Sequence, residues 1–173
     1  SYLFRHPFTP NAKMLFGNYV GDTLGLGKEK SLIPELEPHL YGTKEYELRT
    51  TMNGINLVGY CDHYCPSKRI LNENKTSVNG ERWNQKLADE HGQLTMYTLM
   101  LLLSEKVVPE DVSIWLNFIP AVEERYGIIK LPDPPQFTRF QTKRTTKQVL
   151  LFGKHIRKTL EDMEEYAMNV KLQ

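Results

Sequence analysis

Residues 55–76 read Ile55-Asn56-Leu57-Val58-Gly59-Tyr60-Cys61-Asp62-His63-Tyr64-Cys65-Pro66-Ser67-Lys68-Arg69-Ile70-Leu71-Asn72-Glu73-Asn74-Lys75-Thr76. The first eight of these form a β-prone run, Pro66-Ser67-Lys68 breaks it, and residues 69–76 form another. With a turn centred on Ser67-Lys68, residues whose numbers sum to about 135 face each other, so Asp62 lies opposite Glu73. Period-two alternation puts Lys75 on the same face as Glu73. Facing carboxylates repel, and the pair needs a compensating cation. A hard divalent ion, Mg²⁺ or Mn²⁺, suits carboxylate oxygens. Such an ion can activate water and stabilise charge on a phosphoryl group, and Lys75 is then placed to orient the attacking water or neutralise the developing charge. The plainer account of the same residues is an exposed ion-pair patch on a sheet edge. The spacing Asp-x(10)-Glu-x-Lys is common by itself and does not choose between the two.

Working outward, residues 46–52 read as a strand, and Asn53-Gly54 is the dipeptide favoured at a type I′ hairpin turn. The three strands form an antiparallel meander. Upstream, residues 1–43 are irregular, with glycines at 17, 21, 25 and 27, prolines at 7, 10, 34 and 38, and one short helix expected over 13–24. Downstream, Asn79-Gly80 marks a loop and a helix is expected over 89–106. Leu94, Tyr97, Leu101 and Leu102 give that helix an apolar face, and Gly92 weakens its first turn. Pro109-Glu110-Asp111 turns the chain into a strand over 112–122. Pro132-Asp133-Pro134-Pro135 is a loop, and 137–143 reads as another strand. A long helix over 146–170 carries Val149, Phe152, Ile156, Leu160, Met163 and Ala167 at spacings of three and four, which predicts one buried stripe. The order implies an α/β fold, a mixed β-sheet with an antiparallel meander flanked by helices, in one domain over 1–173.

The bulk composition bounds the answer without deciding it. A chain of 173 residues, 40% hydrophobic and 25% charged, can bury a core. No apolar run is long enough for a membrane span, and the first residues lack the zones of a signal peptide. Two cysteines are too few for a disulfide scaffold, which points to a reducing, cytoplasmic setting. The net charge of +1 is uninformative, but its distribution is not. From residue 136 to 160 the chain holds Arg139, Lys143, Arg144, Lys147, Lys154, Arg157 and Lys158 and no acid. Such a run can follow a phosphate backbone, with Lys143, Arg144 and Lys147 the candidate nucleic-acid contacts, or it can be a solvated helix face.

Three segments taken in order resemble the PD-(D/E)XK nuclease superfamily, in its RecB-like and phage-exonuclease-like branch. They are Gly59-Tyr60-Cys61-Asp62, then Ile70-Leu71-Asn72-Glu73-Asn74-Lys75-Thr76-Ser77, then Gln93-Leu94-Thr95-Met96-Tyr97. In that family a Gly-x-x-Asp segment ends one strand, an acid-x-Lys-Thr segment lies on the next, and Gln-x-x-x-Tyr opens the following helix. The resemblance covers about residues 45–105 and implies a restriction-endonuclease-like core. It implies that Asp62 and Glu73 are metal ligands, that the backbone carbonyl of Asn74 is a further ligand, and that Lys75 is the catalytic lysine. Gln93 and Tyr97, four residues apart on a helix, can both reach the same site, and the resemblance has them orienting the site or the DNA strand. For Tyr97 alone a core aromatic is the plainer reading. The family's first motif sets a histidine or acid on an N-terminal helix, a few residues after a glycine. Here Gly17 is followed by no histidine, and Asp22 is the candidate substitute. Relatives with an iron–sulfur cluster use four cysteines, which this chain lacks.

The activity this implies is metal-dependent hydrolysis of DNA phosphodiesters by an exonuclease of recombination, repair or phage DNA processing, acting in the host cytoplasm if phage-encoded. The implied partners are double- or single-stranded DNA and either further copies of the chain or a recombination protein. The rival reading is a non-catalytic nucleic-acid-binding or assembly module that keeps the fold. Cys61-x-His63-x-Cys65 is short of the four ligands of a structural zinc. The stretch from Gly21 to Lys28 fails as a phosphate loop, because Asp22 and Glu29 stand at positions that need Gly and Ser or Thr.

Overall fold

A computed structural model describes residues 9–78 and 83–171 of the chain; the expected loop at Asn79-Gly80 lies outside them. The elements run in the order α1 (Ala12–Thr23), β1 (Thr43–Met52), β2 (Ile55–Cys65), β3 (Ile70–Val78), α2 (Gln85–Glu90), α3 (Gly92–Glu105), β4 (Ser113–Glu123), β5 (Ile129–Lys130), β6 (Thr138–Thr142) and α4 (Thr146–Lys171), with short 3₁₀ turns between some of them. The six strands form one mixed, largely antiparallel sheet in the order β1-β2-β3-β4-β5, with β6 also pairing β4. The fold is α/β, a sheet flanked by helices. Among the described residues no helix is long and apolar enough to cross a membrane.

The described residues fall into two compact units. The larger takes residues 41–73, 84–116 and 140–171. Its meander closes as the turn chemistry dictates: Asn53 and Gly54 have φ of 50° and 72°, the paired positive values of a type I′ turn. β1 and β2 pair antiparallel from Thr43–Tyr64 to Met52–Ile55. β2 and β3 pair through Cys65–Ile70, Tyr64–Leu71 and His63–Asn72, the register expected for a turn centred on Ser67-Lys68. Gly42, at φ 85°, has no room for a side chain, because a Cβ would fall 2.1 Å from the Tyr64 carbonyl oxygen. The core of this unit joins Met52, Leu99 and Val149, with Leu57, Met96, Leu102, Phe152, Ile156 and Leu160 packed against it.

The expected helix over 89–106 is two helices. His91 adopts an extended conformation between them (ψ 112°), and Gly92 starts the second. α2 is capped by Asn84, whose side-chain oxygen accepts from the Leu87 amide at 2.9 Å. The long helix α4 begins where the sequence places it, and its start is built from three side chains. Thr145 and Gln148 make a reciprocal capping box, the Thr145 hydroxyl accepting from the Gln148 amide at 3.2 Å and the Gln148 carbonyl accepting from the Thr145 amide at 2.9 Å. The Glu110 carboxylate accepts from the Thr146 amide at 2.6 Å and from its hydroxyl at 2.7 Å, an anion at the positive end of the helix. The expected stripe on α4 is covered only as far as Leu160; beyond it Met163 is 49% exposed, because the packed layer ends there.

The smaller unit takes residues 9–40, 74–78, 83 and 117–139. Asn11 caps α1 by accepting from the Met14 amide at 2.9 Å. Val20 of that helix and Leu24, just past its end, pack with Ile33, Leu36 and Ile119, and Phe16, Leu32, Leu40, Leu131 and Phe137 close around them. The helix expected over 13–24 is α1. β5 has no counterpart in the sequence reading, because two residues are too short to show a period; they pair with Val122 and Glu123 at the end of β4.

Candidate active site

The β2–β3 hairpin brings the two acids together. The recorded pairing runs to His63–Asn72, and one residue further the Glu73 carboxylate accepts the Asp62 amide at 3.5 Å. Glu73 is buried, at 3% exposure, and Asp62 is half-buried. Both charges are felt by their neighbours. The Cys61 thiol is pushed up by burial and then by the negative charges of Glu73 and Asp62. The Tyr97 hydroxyl is likewise raised, first by burial and then by Glu73. Burial holds His63 at about 4, so that imidazole is neutral at ordinary pH. The thiol and the phenol beside the two acids therefore stay neutral at ordinary pH.

The donors fit a hard divalent ion. Among the described residues no group of three or more His, Cys, Asp or Glu side chains is placed to hold a metal. A borderline-soft ion that needs several protein ligands is poorly served. Mg²⁺ is bound through one or two carboxylates and completes its shell with water and phosphate oxygen, so the Asp62–Glu73 pair is sufficient protein. Cys61 and Cys65 are both free thiols; Cys61 is buried, and Cys65 lies 3.4 Å from the Ser67 hydroxyl.

Helix α3 buttresses this hairpin. Gln93 Nε2 donates to the Tyr97 hydroxyl at 2.8 Å, and that hydroxyl donates to the Tyr60 carbonyl at 2.7 Å, two residues before Asp62. Tyr97 is 6% exposed, so it serves both as a core aromatic and as a tie to β2. Gly59 lets the two elements close: a Cβ there would lie 3.2 Å from both the Tyr97 ring and the Met100 sulfur. Gln93-x-x-x-Tyr97 and Gly59-x-x-Asp62 therefore form one construction.

The remaining candidates are placed as follows. Lys75 is half-buried on β3, two residues after Glu73. The Asn74 side chain accepts a hydrogen bond from Asn117 Nδ2 at 2.9 Å. Asp22 is exposed in the last turn of α1. That helix passes β3 closely, since a Cβ on Gly17 would stand 4.0 Å from the Thr76 side chain. Lys143 and Lys147 are exposed. Arg144 is the correction. It is 2% exposed and donates to Thr95 Oγ1 (2.8 Å), Thr142 Oγ1 (2.8 Å), and the carbonyls of Lys143 (3.0 Å), Ala88 (2.9 Å) and His91 (3.2 Å). A guanidinium so engaged ties the α2–α3 junction to the start of α4 and is withheld from a phosphate backbone.

No protein-family model and no curated protein matches the chain. Solved structures do. A phage-related exonuclease from Haemophilus somnus 129PT superposes with a TM-score of 0.55 at 16% identity, over 94% of this chain and 78% of that one. A candidate exonuclease from Eubacterium rectale superposes with a TM-score of 0.56 at 10% identity, over 91% of this chain and 68% of that one. At these identities the likeness is one of fold. The chain shares the fold of these two proteins.

Proposed function

We propose that this chain is a divalent-metal-dependent nuclease that hydrolyses DNA phosphodiester bonds, an exonuclease of the recombination, repair or phage DNA-processing type. The observation that carries the reading is the approach of Asp62 and the buried Glu73 at the end of the β2–β3 hairpin, with Lys75 two residues further along the same strand. Folding alone disfavours two carboxylates together, and a cation-binding role accounts for them. Asp62, Glu73 and the Asn74 carbonyl would hold Mg²⁺ or Mn²⁺, which when bound supplies an acidified water and charge neutralisation at phosphate. Lys75 holds its ammonium towards the scissile group, orienting the attacking water and offsetting the negative charge that builds on the phosphoryl oxygens. Gln93 and Tyr97 hold the β2 backbone at Tyr60, so that Asp62 is presented in a fixed attitude. Lys143 and Lys147 supply phosphate contacts from the start of α4.

End-labelled linear DNA and closed circular DNA, each incubated with Mg²⁺ or with EDTA, test the activity. Loss of the linear form alone, abolished by EDTA, is expected. Nicking of the circle would make the enzyme an endonuclease, and inertness towards both would remove the nuclease reading. Calorimetric titration of Mn²⁺ tests the site: Asp62→Ala is expected to weaken binding by about tenfold or more, and equal affinity in parent and variant would take Asp62 out of it.

A further inference from the structure

The strand run Ser113-Ile114-Trp115-Leu116-Asn117-Phe118-Ile119 carries one amide among apolar neighbours, and that amide is fully buried, at 0% exposure. It is not idle. Asn117 Nδ2 donates to Asn74 Oδ1 at 2.9 Å, while its Oδ1 accepts from Arg139 Nε at 2.9 Å. The guanidinium of β6 therefore orients the amide of β4, which in turn grips the side chain of β3. A buried amide with either bond unmade is costly, so the three side chains settle in one arrangement. Alternation along β3 sends the Asn74 side chain to the face opposite Glu73 and Lys75. Holding it fixes the peptide between those two residues without occupying the face on which they stand.

We propose that Asn117, oriented by Arg139, is a positioning residue that sets the β3 backbone at Asn74 for cation binding and aligns Lys75 for turnover. The inference rests on the nuclease reading above, in which the Asn74 carbonyl is a ligand. It assigns a role to two residues outside the three motifs. Groups that orient a metal ligand from behind act on affinity for the ion and on the rate of the bound complex, and leave contacts to distant substrate alone.

The test uses the full chain, with Mn²⁺ alone as the binding probe and linear duplex DNA as substrate. Asn117→Ala is expected to weaken Mn²⁺ binding by about tenfold or more and to lower kcat by a similar factor, with KM for DNA changed by less than about twofold. Asn117→Asp keeps the acceptor for Arg139, and reversal of the Asn74 amide restores the second bond, so most of the Mn²⁺ affinity should return. Arg139→Met, at a half-buried position, is the milder variant if Asn117→Ala does not fold, and should weaken Mn²⁺ binding by about threefold or more. Variants that melt earlier yet bind Mn²⁺ as the parent does would make the line purely structural and overturn the proposal. Glu73→Gln is the control that separates the two ideas. If it abolishes Mn²⁺ binding while Asn117→Ala leaves it intact, the positioning role alone fails; if Glu73→Gln also leaves it intact, the underlying metal site fails and takes this inference with it.

Discussion

Glu73 and Arg144 are almost equally hidden, at 3% and 2% exposure, and each is an ionisable side chain enclosed in the larger unit. Their surroundings differ. Arg144 meets five oxygen acceptors, two hydroxyls and three carbonyls that terminate or border helices, and nothing of opposite charge among them. Burial lowers its affinity for the proton, with Asp89 opposing that shift. Glu73 lies beside a second acid, and after burial the two charges further raise the thiol and phenol around them. The first arrangement is a set of neutral acceptors around one cation; the second sets two like charges side by side. Burial of a charge does not by itself mark a functional site.

The contrast can be broken most sharply at Lys75. If the β2–β3 end is the reacting centre, Lys75→Ala should cut turnover by about a hundredfold to a thousandfold while Mn²⁺ and DNA affinities hold, as measured by single-turnover cleavage beside equilibrium binding. A variant that loses DNA affinity instead makes Lys75 a phosphate contact and moves it to the other side of the comparison. At Arg144 the expected effect is on the fold. Arg144→Ala should lower stability by about 3 kcal/mol, because it strands buried carbonyls and hydroxyls. Thermal melting should then fall by roughly 6–12 °C for a chain of this size. An unchanged melt with a weakened DNA complex would return Arg144 to the substrate-binding set.

The exposed neighbours of Arg144 allow a finer test. Lys143→Gln with Lys147→Gln should reduce the slope of log binding constant against log salt by about two units if each meets one phosphate. Parallel lines for parent and variant would leave them as a solvated helix start. The smallest effect lies at Glu110, whose carboxyl is held below its usual range by the Thr146 amide and hydroxyl. The folded state binds that proton less tightly than the unfolded chain, so the stabilisation of α4 is present above the ordinary carboxylate pKa near 4.5 and fades as pH falls through the lowered folded value. Glu110→Gln should therefore melt below the parent at neutral pH and converge with it in acid. A gap that persists in acid would mean that the contact does not depend on the charge.

Much of this was legible because it is local. Asn53-Gly54 dictates its own backbone, and Pro66-Ser67-Lys68 centres the next turn, so the facing of Asp62 and Glu73 follows from counting. The apolar period of α4 predicts a helix from about Thr146, and α4 begins there. What escaped depends on partners distant in the chain. Arg144 sits in a run of bases like any other, and only the carbonyls of Ala88 and His91, more than fifty positions away, make it an anchor. The sequence predicts one helix over 89–106 because Gly92 weakens a turn without fixing where the chain kinks, and the extended backbone of His91 is what divides it. Asn117 carries a local signal without an address: an amide in the middle of an apolar strand needs a partner, and only the fold brings Asn74 to it.

Gly59 has a bearing on motion as well as on space. Between most packed helices and strands lie side chains that can change rotamer, and these give the contact a soft coordinate along which the elements breathe. At Gly59 there is none. The Tyr97 ring and the Met100 sulfur stand 3.2 Å from where the first carbon of a side chain would be, and the phenol is hydrogen-bonded to the very next carbonyl of the strand. Helix α3 and this stretch of β2 are expected to fluctuate as one body. Asp62, three residues on, then inherits the stiffness of a fourteen-residue helix instead of the looseness of a hairpin end.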